Sequence, residues 1–357
     1  MNAPMIRRGN GEPDMVTTSR RADAARLRGK ARAAALLTAA ASATALALVV
    51  SACSGGTVAV GAQPTVALPQ PGAVVTGSPS AAPTAGPATC NTNALSYRPT
   101  AGDASSAAVN SIKKRGKLIV GVAEDEYLTG YLDASGNETG FDVEIAKQVE
   151  QAIFGTQDAA HIQFRAVTNA ERITALQTDD SARAVDMVVD TFTITCDRAK
   201  QVQFSTVYYN AYQRLLVLKN SGYRNLDDLG GKKVCAQKGS TSIQTLLAYR
   251  SHPVPYGVTN LTDCLVALQQ GQVDAISTDD TILAGLALQD PNTVVIGDRV
   301  EPEPYGIAVS PANTDLIRYI NGVLETIRGN GQWQKIYQSS LGSVLGPQQP
   351  PAAQYAD

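Results

Sequence analysis

Two pieces of one pattern occur twice in this chain, and the recurrence limits the possible folds more than any other feature. The first copy opens with GKLIVGVAE (Gly116 to Glu124), whose apolar run reads as a buried strand. It continues to TALQ and AVDMVVDT (Thr174 to Thr191), a helix leading into a second strand. The second copy opens with GKKVCA (Gly231 to Ala236) and continues to VALQQGQVDAISTD (Val266 to Asp279). The spacing is shorter the second time, so the repeat is degenerate. Strands alternating with helices build sheets covered by helices, and a pattern met twice predicts two related α/β lobes. Between the strands of the first copy, Phe141, Ile145, Val149 and Ile153 recur at helical spacing, and a helix with Thr168 or Asn169 as its cap carries Ile173 and Leu176 inward.

The ends of the chain are of another kind. Residues 1–32 are polar and basic, Ala33 to Val50 is uncharged and Ala-rich, and the run closes on Ser51-Ala52-Cys53. A basic segment, an apolar core and small residues before a cut site form a secretory signal. Its last residues resemble the lipobox of bacterial lipoproteins, in which the cysteine thiol is acylated, so residues 1–53 are expected to be a lipoprotein signal and Cys53 the lipidation site. An uncleaved signal anchor is the alternative. Either way, the remainder lies outside the cytoplasm. Residues 54–92 are Gly, Ala, Pro, Thr and Ser with no period, a composition that cannot offset ordering entropy; a disordered tether is expected there, and a disordered tail over 347–357. The whole chain of 357 residues has a formal net charge of −2, which argues against a nucleic-acid partner.

With Cys53 lipidated, four cysteines remain for an oxidising compartment, and three pairings are open. Keeping each bridge within one lobe favours Cys90 with Cys196 and Cys235 with Cys264. The wide cysteine spacings and two scattered histidines, His161 and His252, do not form a zinc set. No metal or other cofactor is implied.

Ligands of α/β sheets settle at the carboxyl ends of strands. In the first copy those ends carry Thr191, Thr193 and Arg198; in the second they carry Gly239-Ser240-Thr241 and Asp279. Arg198 falls in the first turn of a helix, where a cation is unfavourable unless an anion sits beside it. Its planar fork of donors and the threonine hydroxyls suit a carboxylate, and Asp279 suits an ammonium. Together they describe an α-amino acid held between facing lobes. Each residue also has a plainer use: Arg198 in solvent, Asp279 capping the helix from Asp280 to Leu288, and the Gly-Ser-Thr turn capping the helix from Ile243 to Tyr249.

The motifs RGKLIVGV, GFDVEIA, TFTITCDRAKQVQFS, DLGGKKV…KGSTS, GQVDAISTDD and PYGIAVS, with the closing LIRYINGVLETIRGNGQWQKIYQSSLG, resemble those of the family-3 extracellular solute-binding proteins. The likeness runs from Ser111 to Gly342 and implies a two-lobed type II periplasmic-binding-protein fold. Lobe one would comprise 93–212 and 310–346 and lobe two 213–309, with crossings near Tyr212 to Leu216 and Val309 to Asn313 that let the lobes close. By that likeness Arg198, Thr193 and Thr241, with donors of the Ser240 turn, take the ligand α-carboxylate, Asp279 takes the ammonium, and Thr191 lines the side-chain end. Arg172 resembles the arginine that acidic-amino-acid binders set against a side-chain carboxylate, which makes glutamate or aspartate the first choice and leaves glutamine and asparagine open. Its plainer use is an exposed pairing with Glu171 or Asp180. Cys196 and Asn169 depart from the family pattern, the latter at a place where relatives carry a stacking ring.

The resemblance implies a monomer on the outer face of the cell membrane that delivers its amino acid to a membrane ABC permease. A sensor that signals through a membrane receptor, and a dehydratase-type enzyme on the same fold with Glu124 or Asp125 as general acid, are the alternatives. The second lacks an activated nucleophile or metal set.

Overall fold

The computed structural model describes residues 90–99 and 106–357. The expected signal, Cys53 and the tether up to residue 89 lie outside the described residues.

Two five-stranded paths form the framework. The first runs Ile162–Ala166, Leu118–Val122, Met187–Val188, Ala308–Val309, Gln203–Phe204; the second runs Val254–Val258, Lys233–Gln237, Ala275–Asp279, Tyr209–Leu218, Thr293–Ile296. In each path the first three strands are parallel and occur in the chain order second, first, third. The degenerate repeat is therefore a repeat of topology. It places the ends of the two third strands, before Thr191 and at Asp279, at equivalent positions.

Strand residues alternate between faces, as the pleat requires. Leu118, Val120 and Val122 enter one apolar cluster while Ile119 packs against another. In the second sheet Cys235 and Leu216 enter one cluster, and Val234, Ala236, Leu215 and Val217 the other. Both faces are covered, which is why these strands are apolar almost without interruption. The helix Phe141–Phe154 covers one face of the first sheet with Phe141, Ile145, Val149 and Ile153 all buried. The helix expected from Thr168 begins only at Arg172 and runs to Gln177. The Glu171 carboxylate accepts from the Thr168 N–H at 3.1 Å and its hydroxyl at 2.7 Å, and so holds residues 168–171 in a turn.

Two antiparallel strands connect the sheets. Tyr209–Leu218 pairs along its first four residues with Pro302–Tyr305 and beyond them with the second sheet. Leu216 already faces Ile276 in that sheet, and Val309 faces Met187 in the first. The return crossing thus lies before the expected Val309 to Asn313, because Ala308–Val309 fills a slot of the first sheet.

Helices Thr314–Gly329 and Gln332–Tyr337 complete the first lobe. Trp333 stacks on Tyr337 with centroids 5.3 Å apart and donates from Nε1 to the Tyr208 carbonyl at 2.8 Å. Residues 347–357 lack regular structure but are not the free tail that composition suggested. Arg98 N donates to Asp357 Oδ1 and Arg318 Nη2 to Asp357 Oδ2, each at 2.8 Å, and Ala356 N donates to the Ser96 carbonyl. The Arg318 guanidinium and the Arg98 backbone N–H on one carboxylate hold what apolar burial alone would not. Disulfides join Cys90 to Cys196 and Cys235 to Cys264. Among the described residues, no helix is long and apolar enough to cross a membrane.

Candidate functional site

The loop after Met187–Val188 is tied to its surroundings by four hydrogen bonds. Thr191 adopts φ 42°, a left-handed conformation that a β-branched residue takes only when its surroundings enforce it. Its N–H donates to Asp142 Oδ2 at 2.6 Å and its hydroxyl to Glu126 Oε2 at 3.1 Å. Further on, Ile194 N donates to the Pro304 carbonyl at 2.8 Å and Gly306 N to the Phe192 carbonyl at 3.0 Å, which fastens the loop to the connecting strand. Thr195 then caps the short helix Cys196–Ala199, its hydroxyl accepting from the Arg198 N–H at 3.1 Å.

The Arg198 side chain turns back over this loop and reaches the other lobe. Nη1 donates to the Thr193 carbonyl at 2.8 Å, and Nη2 donates across the cleft to the Gly239 carbonyl at 3.0 Å. Its guanidinium carbon lies 4.9 Å from the centre of the Phe192 ring. Lost hydration, then repulsion from Arg172, draws its pKa down to about 9, while Glu303 and Asp279 pull it back up. It stays a cation at neutral pH.

Asp279 precedes helix Asp280–Gln289 without capping it through its side chain. Its buried carboxylate accepts instead from the Tyr305 hydroxyl at 2.6 Å, and that hydroxyl also pairs with Thr281 Oγ1 at 2.9 Å. Burial, then the charge of Glu303, pushes Asp279 far above the ordinary carboxylate range. A cation beside it would reverse that cost. Ser240 is committed to structure: its hydroxyl accepts from Ile243 N at 3.1 Å, capping helix Thr241–Ala248, and donates to the Gln237 carbonyl at 2.7 Å. Thr241 donates from its hydroxyl to Glu303 Oε2 at 2.8 Å.

Arg172 is buried rather than solvent-exposed. Nη1 donates to the Asp190 carbonyl at 2.9 Å, Nε stands 3.9 Å from Asp190 Oδ2, and the guanidinium carbon lies 4.2 Å from the Phe192 ring centre. Its charge is therefore set against Asp190. Neither Asp190 carboxylate oxygen, nor Glu126 Oε1, has a hydrogen bond of ordinary geometry. Burial raises Asp190, with Arg172 and, more weakly, the Ala123 N–H holding it down. Glu126 is raised by burial and by the charge of Asp190.

Arg198, Thr193, Gly239, Thr241 and Asp279 thus come together where the lobes meet, while Arg172 and Thr191 point toward the acids Glu126, Asp142 and Asp190. A cavity of about 420 Å³ between the lobes is lined by Glu126, Asp190 and Asn169 from one side and Gln237 and Asn260 from the other. A second, of about 730 Å³, touches Thr193, Thr241 and Glu303 beside the connecting strands. Arg198 and Asp279 line neither cavity; Arg198 is spent on the Gly239 carbonyl and Asp279 on the Tyr305 hydroxyl. Sequence reading missed Glu126, Asp142, Asp190, Glu303 and Tyr305. Asp190 stood in plain view before Thr191; for the others, no local spacing marks a partner that lies tens of residues away.

Residues 118–343 match the family model described as bacterial extracellular solute-binding proteins, family 3. The chain belongs to that family. Among these solute-binding proteins, the glutamine-binding protein GlnH of an ABC transporter from Bacillus subtilis (strain 168) is 39% identical over 251 residues, 69% of this chain and 90% of GlnH. The glutamate-binding protein GluB of Corynebacterium efficiens is 29% identical over 251 residues, 68% of this chain and 83% of GluB. An ancestral arginine-binding protein solved with glutamine bound aligns at TM-score 0.59 and 34% identity, covering 64% of this chain and 99% of that one. As a family-3 solute-binding protein, the chain is a binder rather than an enzyme.

Proposed function

We propose that this solute-binding protein takes up a polar α-amino acid outside the cytoplasm and presents it to a membrane ABC importer, held to the membrane by a lipid on Cys53. The observation that carries the reading is that Arg198, from one lobe, crosses to the Gly239 carbonyl of the other, where the charge of Asp279 also acts on it. Arg198 with Thr193 and Thr241 supplies donors for an α-carboxylate, and the Asp279–Tyr305 pair supplies an acceptor for the ammonium. Binding requires the lobes to part and the ligand carboxylate to replace the Gly239 carbonyl on Arg198. The names of the relatives, which cite glutamine, glutamate and arginine, agree with such a ligand.

For the side-chain end, the geometry favours glutamine over the acidic amino acids that Arg172 first suggested. Arg172 is occupied by Asp190, and the free positions are acceptors on Asp190 and Glu126. An amide NH₂ can donate to them, whereas a second carboxylate would be buried with no free cation among the described residues there to meet it. Calorimetry with the standard amino acids tests this: glutamine should bind with a Kd in the micromolar range, roughly −8 kcal/mol, and glutamate at least tenfold more weakly. No heat with any amino acid would refute the reading. Mass spectrometry of the membrane-extracted protein tests the acyl group on Cys53.

A further inference from the structure

Glu303 lies on the connecting strand Pro302–Tyr305, opposite Ala211, and is almost completely buried. Its strand pairs with Tyr209–Leu218 off the main path of the second sheet, and it holds a side chain from each lobe. Thr241, the first residue of helix Thr241–Ala248 in the second lobe, donates its hydroxyl to Glu303 Oε2 at 2.8 Å. Thr193, in the loop of the first lobe, is a second hydroxyl partner, and Arg198 attracts the same carboxylate. The backbone of Thr193 is in turn bridged to Tyr305, two residues along the strand. A buried carboxylate is costly unless donors surround it, and here the donors come from opposite sides of the cleft. Separating the lobes takes at least one hydroxyl away, so the charge itself favours their approach.

We propose that Glu303 is a positioning residue that latches the two lobes together through Thr193 and Thr241, and so sets how long a ligand is retained. An internal carboxylate engages the hydroxyls that flank the ligand carboxylate, so closure and retention both depend on a residue outside the direct grip on the ligand. Only the retention arm of this inference rests on the amino-acid reading; the latch itself is a property of the protein alone.

The test uses dyes carried by non-natural residues at the exposed positions Gln151 and Gln270, one on each lobe. In the absence of any amino acid, Glu303→Ala should lengthen the inter-dye distance relative to wild type. Glu303→Gln, which keeps an acceptor oxygen, should recover much of the short distance. Combining Glu303→Ala with Thr241→Val should lengthen it no further than Glu303→Ala alone, because the Thr241 contact is already lost. With glutamine as probe, stopped-flow release from Glu303→Ala should be about ten- to a hundredfold faster than from wild type, the size expected for losing a charge-assisted hydrogen bond. An unchanged distance in Glu303→Ala, or additive effects with Thr241→Val, would overturn the latch. Should Glu303→Ala fail to fold by near-ultraviolet circular dichroism, the paired Thr193→Val and Thr241→Val changes read the same contact from the other side. A wild-type protein that binds no amino acid would defeat the functional reading and leave the distance measurements to judge the latch.

Discussion

Arg198 meets three demands with one guanidinium: it stacks on Phe192, ties its own loop through the Thr193 carbonyl, and crosses to Gly239. Removing it leaves a bound carboxylate without its counter-charge. Arg198→Ala should therefore weaken binding by about two to three orders of magnitude, equivalent to roughly 3 to 4 kcal/mol, as titration calorimetry with glutamine will register. A loss under threefold would contradict the role. At the other end of the site, Asp190→Asn replaces an acceptor oxygen with a donor and cancels one charge, so it should narrow or invert the preference for glutamine over glutamate in the same titrations. The places of Arg198 and Asp279, beyond apolar strands of a repeated pattern, were legible in the sequence. Glu126 and Glu303 were not, since their meaning comes from hydroxyls 65 and 62 residues away. Arg172 was noticed, but its buried partner Asp190 was not.

Among elements, the helices that face the cleft have been pared to let the lobes touch. A Cβ at Gly285, within helix Asp280–Gln289, would stand 2.1 Å from the Tyr127 carbonyl of the opposite lobe; at Gly239 it would stand 2.9 Å from the Ala170 backbone. Both contacts are with backbone, which cannot swing aside. Gly285→Ala should therefore hold the lobes apart: small-angle scattering should show a larger radius of gyration, and ligand affinity should fall while the melting temperature of the protein alone changes little. The disulfides act at the same scale. Their loops span 106 and 29 residues, so removing the Cys90–Cys196 and Cys235–Cys264 bridges should cost about 5 and 4 kcal/mol by loop-closure entropy, with denaturant midpoints of the serine variants as the measure. The late start of helix Arg172–Gln177 was illegible because Glu171 closes a turn that propensity alone does not reveal.

The whole molecule carries its buried acids as one population. Asp142 is pushed up to about 6 by burial against the pull of Thr191 and Tyr208, and Asp190, Glu126, Asp279 and Glu303 are all raised, chiefly by burial. Carboxyls with folded pKa values above their unfolded ones bind more protons in the folded state, so their contribution to stability is fully present only below the unfolded values and is lost as pH rises from there through the folded values. Without ligand, the protein should resist urea better at pH 5 than at pH 7.5, and Asp142→Asn should flatten part of that slope. Ligand should raise the melting temperature most where the acids are ionised and a bound ammonium offsets them. The two-lobed plan was legible because the strand–helix alternation occurs twice. The crossing points were not, because a two-residue strand, Ala308–Val309, decides where the chain re-enters the first sheet.

Trp333 is the sole tryptophan of the chain, and its indole N–H is bound to the carbonyl of Tyr208, the residue immediately before the strand that leads into the second lobe. Any rotation that begins at Tyr209 tugs on that bond and on the stacked Tyr337 ring beside it. The protein therefore contains its own optical gauge: ultraviolet emission from an unlabelled sample should change in step with ligand uptake, and a phenylalanine at position 333 should silence the signal.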